Sequence, residues 1–589
     1  MTQTPAGTAV PPHRDPQRSA AERAADLLPR MTLEEKAGLL FHSMVVPGPV
    51  QQAQPAFGLA STAHMVTGQH LSHFNLVGSI DDPAATARWQ NEVQELARRT
   101  RLGIPVTFST DPRNHFTDNA GVAAAAGGLS QWPEPLGLAA LRSAELVERF
   151  ADVARREYLA LGLRVALHPQ IDLATEPRWA RIAGTFGEDA DLTSELVRAY
   201  LRGFQTAQVG PGSVSTMTKH FPGGGPQRDG EDPHFPYGRE QVYPGGRFDH
   251  HLAPFRAALD AGARQVMPYY GMPVGTEHEE VAFAFNHGVI TGLLREELGF
   301  DGIVCTDWGL ITDTQIMGQD MPARAWGVEH LDELSRVERV LAAGCDQFGG
   351  EARSELVVEL VRTGRVSQER LDVSAARLLR EKFLLGLFDD PFVDPEHARV
   401  TVGRADFRAQ GEVAQREAVT LLTNDRGLLP LGRGLRVYTE GIDPAALDGR
   451  ASVVGSPEEA DVAVLRLEAP FEPRPGGFEA MFHAGSLAFA REELDRVLAV
   501  CRTVPTVVDV HLDRPSVLPE IAAAAGALLV TFGSSGPALL DVVFGAASPR
   551  GRLPFDLPSS MAAVEASRPD VPFDTADPLF RFGHGLSYD

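Results

Sequence analysis

The segment Gly299-Phe-Asp-Gly-Ile-Val-Cys-Thr-Asp-Trp-Gly309 runs apolar to Thr306 and then presents Asp307 beside Trp308. A carboxylate at the end of a buried strand can attack the anomeric carbon of a sugar, and a neighbouring indole can support the ring's apolar face. The plain structural alternative for Asp307 is the N-cap of a following helix. A second segment, Thr218–His234, opens with Lys219-His220-Phe221 and continues into Gly223-Gly-Gly225, where backbone can approach a ligand. It lacks the GxxxxGK[ST] spacing of a phosphate loop. A third runs from Asp172 to Arg181 and on to Gly187-Glu-Asp189. Of Arg178 and Arg181, one is expected to bind sugar hydroxyls and the other to pair with Asp172 or Glu188 and fix the loop.

Lys219 stands out by composition. The chain has 589 residues and 54 basic side chains, yet only Lys36, Lys219 and Lys382 are lysines. A compact ammonium beside His220 meets a need that arginine's planar fork would not. The bland reading is codon bias in a GC-rich genome. The formal charge of −24 disfavours nucleic acid and anionic membranes, which bind through cationic neutralisation. Three cysteines without CxxC spacing make no disulfide framework, and no multi-His or carboxylate cluster has metal-ligand spacing. No metal and no cofactor are expected. The first residues lack a signal-like apolar core, and no run of 18 apolar residues occurs, so the expectation is a cytoplasmic protein with no membrane span.

The elements that must hold these residues alternate between short strands and amphipathic helices. Candidate strands are 105–109, 164–168, 214–218, 265–269, 302–306 and 344–348. Helical stretches lie at 86–100, 143–161, 192–207, 250–261, 290–298 and 331–343. Repeated βα units over some 350 residues suit an α/β fold with an N-terminal (β/α)8 TIM-like barrel, whose active sites lie at the C-terminal strand ends. Asp111, Lys219-His220, Tyr270 and Asp307 all fall there. The sequence pattern resolves six of the eight strands.

Residues 1–20 read as a flexible arm, 21–390 as the barrel, 391–410 as a linker, 411–560 as an α/β sandwich and 561–589 as a tail packed on both. Thr32 and Glu35 have the spacing of a capping box. In the sandwich, 411–423 reads as helix and 436–439, 462–467, 506–511 and 527–532 as strands.

These segments together resemble glycoside hydrolase family 3. The resemblance spans roughly residues 30–589. It rests on Met31-Thr-Leu-Glu-Glu-Lys36, Pro177-Arg-Trp-Ala-Arg181, Lys219-His-Phe221, Val266-Met-Pro-Tyr-Tyr270, Thr306-Asp-Trp-Gly309, Gly551-Arg-Leu-Pro-Phe555 and Phe582-Gly-His-Gly-Leu-Ser-Tyr588. It implies a barrel followed by a sandwich, and a hydrolase releasing terminal β-linked sugars with retention. By the resemblance, Asp307 is the nucleophile, Lys219 and His220 bind the sugar, Asp111 grips its far hydroxyls, and Arg181 and Tyr270 line the same site. Ala180 departs from the family's Gly between Trp and Arg. Lys219 is expected to keep Asp307 ionised by its charge.

The acid/base has several candidates. Family members with a second domain draw a Glu from it, and Leu465-Arg-Leu-Glu-Ala-Pro-Phe-Glu-Pro-Arg474 offers Glu468 and Glu472, with Glu479 beyond. Glu472, two residues before Arg474, is the first choice. The rival is Asp232-Pro-His234, which resembles the Asp-x-His dyad of the family's β-N-acetylglucosaminidases, although Gly223-Gly-Gly225 replaces their Gly-His-Gly. The functional expectation is a β-glucosidase or β-xylosidase. The alternatives are a β-N-acetylhexosaminidase and a non-catalytic carbohydrate-binding paralogue. The expected partner is a carbohydrate or glycoside. A homodimer is compatible with the resemblance, and no segment demands one.

Overall fold

A computed structural model describes residues 11–54, 58–119 and 121–588. Eight strands close a parallel barrel: β1 (Phe41–Val45), β2 (His73–Leu76), β3 (Thr107–Thr110), β4 (Leu163–Ala166), β5 (Ser215–Phe221), β6 (Gln265–Pro268), β7 (Ile303–Trp308) and β8 (Gln347–Gly349). Each pairs with its sequence neighbours, and β8 returns to β1. The two strands that the sequence pattern misses are β1 and β2. Their apolar residues are interrupted by His42, Ser43, His73 and Asn75, all buried. Strand alternation puts His42, His73 and Asn75 on the inner side of the barrel: His42 bonds through Nε2 to Ser109 Oγ at 2.7 Å and through Nδ1 to Gln347 Oε1 at 3.2 Å. A strand whose polar side faces a polar core does not read as buried.

The outer helices Pro83–Arg98, Ala144–Ala160, Ala190–Gln205 and Phe248–Asp260 follow the expected spans within a few residues. Asp82, Ser143 and Asp189 cap the first three by accepting main-chain N–H bonds, as short polar residues do at helix starts. The Thr32–Glu35 capping box forms at the head of helix Leu33–Leu39. Of the expected arm, residues 1–10 lie outside the described residues. Residues 11–19 are held against the barrel: His13 bonds to Asp26 at 2.7 Å, and Arg23 Nε donates to the His13 carbonyl at 3.0 Å.

The stretch expected as a linker carries a helix, Pro395–Thr401, and the start of another, Ala405–Ala418. Asn91 ties it to the barrel by exchanging two bonds with the Val393 main chain, at 2.7 and 2.9 Å. The second domain is a six-stranded sheet of β9 (Thr420–Asn424), β10 (Arg436–Glu440), β11 (Ser452–Val453), β12 (Val462–Glu468), β13 (Thr506–His511) and β14 (Ala527–Thr531), in the order β9-β14-β13-β12-β10-β11. The helix expected to run to Thr423 stops at Ala418, and β9 replaces its end. Val419 and Thr420 are β-branched, and the strand pairs antiparallel with β14.

Four aromatic or sulfur side chains, Phe235 and Met321 from the barrel and Phe478 and Phe482 from the second domain, form a small separate core where the domains meet. Each buried ring contributes about 2 kcal/mol to the docking. The C-terminal tail stitches the assembly. Asp570 accepts the N–H groups of Gly245 and Arg247, the Pro569 carbonyl accepts the Thr175 hydroxyl, and Glu188 accepts the N–H groups of Asp556 and Phe573. Burial pushes the Glu188 carboxyl up to about 8.

Candidate active site

Lys219 and His220 lie within β5 and Asp307 within β7, one residue before its end, while Asp111 immediately follows β3 and Tyr270 lies two residues past β6, at the same mouth. Asp111 is gripped on both oxygens, by Lys219 Nζ at 3.1 Å and Asn75 Nδ2 at 3.0 Å. Lys219 therefore makes its direct ion pair with Asp111, not with Asp307, whose ionisation its charge was expected to support.

His220 stands between two carboxylates. Its Nδ1 is 2.7 Å from Asp172 Oδ2, and its Nε2 is 3.8 Å from Asp307 Oδ2. Burial drives the imidazole well below its ordinary value, and the charges of Arg181 and Lys219 push the same way. A neutral ring with its Nδ1 facing Asp172 presents Nε2 toward Asp307. Burial pushes the Asp172 carboxyl up to about 6, against the N–H bonds it accepts from Gly224 and His220. Asp307 Oδ1 accepts the Trp308 N–H at 2.8 Å, whereas Oδ2 is buried without a hydrogen-bond partner. Tyr270 locks the turn: its hydroxyl donates to the Trp308 carbonyl at 2.8 Å and accepts the Trp308 N–H at 2.9 Å. The Trp308 indole lies 5.4 Å from the His42 ring and fits because Gly349 and Gly350 carry no side chain against it.

Arg181 is buried with its Nε unpartnered. Burial alone would lower its pKa, but Tyr269, Asp232, Asp307 and Asp172 together raise it, so the guanidinium stays charged. The pairing expected for Arg178 takes a different form. Arg178 bonds to Glu176 at 2.8 Å, two residues away, while Asp172 serves His220 and Glu188 serves the tail. The glycine run also has a different use. A Cβ on Gly224 or Gly225 would strike Tyr269 or the Leu173 carbonyl, so these glycines permit close packing of the loop onto 172–175.

Asp232 and His234 are buried and bonded to each other at 2.6 Å. Burial holds His234 below the ordinary histidine value despite the Asp232 charge. The His234 ring packs 4.7 Å from Tyr270 and 4.9 Å from Phe482, so the dyad borders the Asp307 turn.

The three glutamates of the second domain diverge. Glu468 lines an interdomain cavity of about 270 Å³ together with His483, His511 and Asp513, and Arg181 and Lys219 belong to the opposite wall. Asp307 does not line it. Glu472 is exposed, its N–H donates to the Ala484 carbonyl at 2.9 Å, and its carboxylate lies over Gly485. Glu479 is buried and accepts the Tyr237 hydroxyl. Among the described residues no hydrogen bond joins any of the three to the Asp307 cluster, and no group of His, Cys, Asp and Glu assembles with metal-ligand geometry.

Asn75 is absent from the sequence reading because its strand was hidden. Arg324, whose guanidinium sits 5.8 Å from the Tyr270 ring, is likewise far in sequence from any motif. The arrangement offers one unpaired carboxylate oxygen, two fixed cations and a neutral imidazole around one opening, which suits attack on an uncharged, hydroxyl-rich substrate.

The sequence profile of the Glycosyl hydrolase family 3 N terminal domain matches residues 32–381, and that of the Glycosyl hydrolase family 3 C-terminal domain matches residues 438–588. Probable beta-glucosidase C of Aspergillus flavus is 57% identical over 584 residues, covering 98% of this chain and 92% of the relative. The periplasmic beta-glucosidase/beta-xylosidase of Dickeya chrysanthemi is 41% identical, covering 98% and 91%. The solved structure of a β-glucosidase from Erythrobacter marinus superimposes with a TM-score of 0.80 at 22% identity, covering 98% of this chain and 84% of that one. Among the described residues no helix is long and apolar enough to cross a membrane.

Proposed function

The chain belongs to glycosyl hydrolase family 3, and from that membership we propose that it is a retaining exo-β-glycosidase removing terminal glucose or xylose, with Asp307 as the nucleophile. The observation that carries the assignment is the unpartnered Oδ2 of Asp307, buried in the barrel mouth and 3.8 Å from His220 Nε2. Asp307 attacks the anomeric carbon as the leaving oxygen is protonated, and water then releases the glycosyl-enzyme. Asp111, Lys219, His220 and Arg181 hold the sugar hydroxyls, and the Trp308 indole supports the ring.

The acid/base comes from the second domain, with Glu472 first and Glu468, on the cavity wall, next. Retention needs the two carboxyl groups about 5–5.5 Å apart. The competing reading uses His234 with Asp232, and the 2.6 Å bond between them beside Tyr270 favours it.

A deoxyfluoro glucoside should label the peptide containing Asp307, as read by mass spectrometry, and proton NMR should show the β-anomer released first. Labelling elsewhere sinks the nucleophile, and an α-anomer sinks retention. Alanine variants of Glu472, Glu468, Glu479 and His234, each assayed with added azide on an activated aryl glycoside, choose the acid/base. The true one alone should be rescued by azide.

A further inference from the structure

Segment 470–485 carries Glu472 and Glu479, and its shape rests on a narrow bridge. Glu472 pairs with Ala484 through the main chain, and the Phe471 ring stacks on His483 at 3.8 Å. Under that bridge lies Arg514, one of the largest fully buried side chains. Its Nη2 donates to the Pro470 carbonyl at 2.8 Å and the Ala484 carbonyl at 3.4 Å. Its Nη1 donates to the Arg178 carbonyl at 2.9 Å and the Gly485 carbonyl at 3.3 Å. One guanidinium thus holds both edges of the bridge and the barrel stretch that carries Arg181. The residue before it, Asp513, bonds the His483 ring of the same bridge.

Arg514 makes no ion pair within 4.0 Å among the described residues, and Asp513, Glu472 and Glu176 act on it only through longer-range charge. A buried cation without a direct counter-ion costs stability that a hydrophobic side chain would not. The planar fork supplies something else: several carbonyls from separate segments held at fixed angles.

We propose that Arg514 is a positioning residue that sets the acid/base segment of the second domain against the barrel mouth. The inference rests on the reading that a glutamate of 468–479 is the acid/base. Misplacement of such a group by about 1 Å costs on the order of 100-fold in rate.

Arg514→Lys keeps a cation and removes the fork. On phenyl β-glucoside, whose leaving group needs protonation, kcat/KM should fall roughly 100-fold. On dinitrophenyl β-glucoside, whose leaving group does not, it should fall by no more than about threefold. The limb of the pH–rate profile that reports the acid should also flatten. Equal losses on both glycosides, or no loss on either, overturn the proposal. If this variant does not fold, Arg514→Gly is assayed with added guanidinium ion. Recovery on phenyl β-glucoside supports the proposal, and failure to recover overturns it.

Glu472→Gln, Glu468→Gln and Glu479→Gln are run on the same pair of substrates. If none of them splits the two glycosides, the acid/base reading itself fails. If one of them does and Arg514→Lys does not, only the positioning role of Arg514 falls.

Discussion

Lys219 and Lys382 sit at opposite ends of the barrel, and each is buried. At the floor, Lys382 Nζ donates to the Ser72 carbonyl at 2.8 Å, the Pro105 carbonyl at 3.0 Å and the Thr107 hydroxyl at 2.7 Å. Every donor of the ammonium is used on the N-terminal ends of β2 and β3. At the mouth, Lys219 makes a single ion pair with Asp111, while neighbouring Asp307 Oδ2, Arg181 Nε and Trp308 Nε1 are left without partners. Burial is comparable at the two ends, but satisfaction differs. An ammonium whose donors are all used fastens the strands it touches, whereas the unmade atoms of Asp307, Arg181 and Trp308 converge on one opening that a non-protein partner can fill.

Substitutions at the two ends should separate stability from turnover. Lys382→Met orphans three acceptors and should lower unfolding free energy by about 3 kcal/mol, read by urea denaturation, while the folded fraction keeps its kcat. A variant of full stability would mean that the floor is not a fastened end. Lys219→Met should do the reverse: kcat/KM on aryl glucosides falls about 100-fold, and the denaturation midpoint hardly moves. Asn75→Ala tests how sharply the mouth is tuned. Loss of one of the two grips on Asp111 should cost about tenfold in kcat/KM, and unchanged kinetics would make Asn75 a packing residue.

The remaining prediction is in pH. Burial pushes His42, inside the barrel, down to about 3 from an ordinary 6.5. Its contribution to stability is present above 6.5 and is lost as pH falls toward 3, because the unfolded imidazole takes a proton that the folded one refuses. The melting temperature of His42→Gln should therefore decline less steeply than wild type across that window. Identical slopes would assign the acid sensitivity to other groups.

The mouth was more legible in the sequence than the floor, for a physical reason. Asp307 terminates an apolar run and Lys219 is one of only three lysines, so their chemistry shows against a plain background. β1 and β2 hide because His42, His73 and Asn75 face inward, and with them went Asn75's grip on Asp111. Arg514 is hidden for another reason. It is one arginine among many, and its partners at 178, 470, 484 and 485 share no local pattern with it. The lysine signal was real but broader than its first reading. Lys36 is also buried, bonded to Asp372 at 2.5 Å, so lysine marks interior sites where a compact ammonium fits, of which the sugar site is one. Arg178 pairs with Glu176 while Asp172 is taken by His220 and Glu188 by the tail, a division of carboxylates that no local pattern announces.

The tail gives the molecule an order of completion in time. Synthesis delivers the barrel first, yet the loops at 172–189 and 243–251 take their last hydrogen bonds from Asp556, Pro569, Asp570 and Phe573. A nascent chain thus carries a nearly finished barrel whose rim waits for residues not yet translated. The rim beside Asp172 and Arg181 therefore takes its last hydrogen bonds only once residues 556–573 have been made.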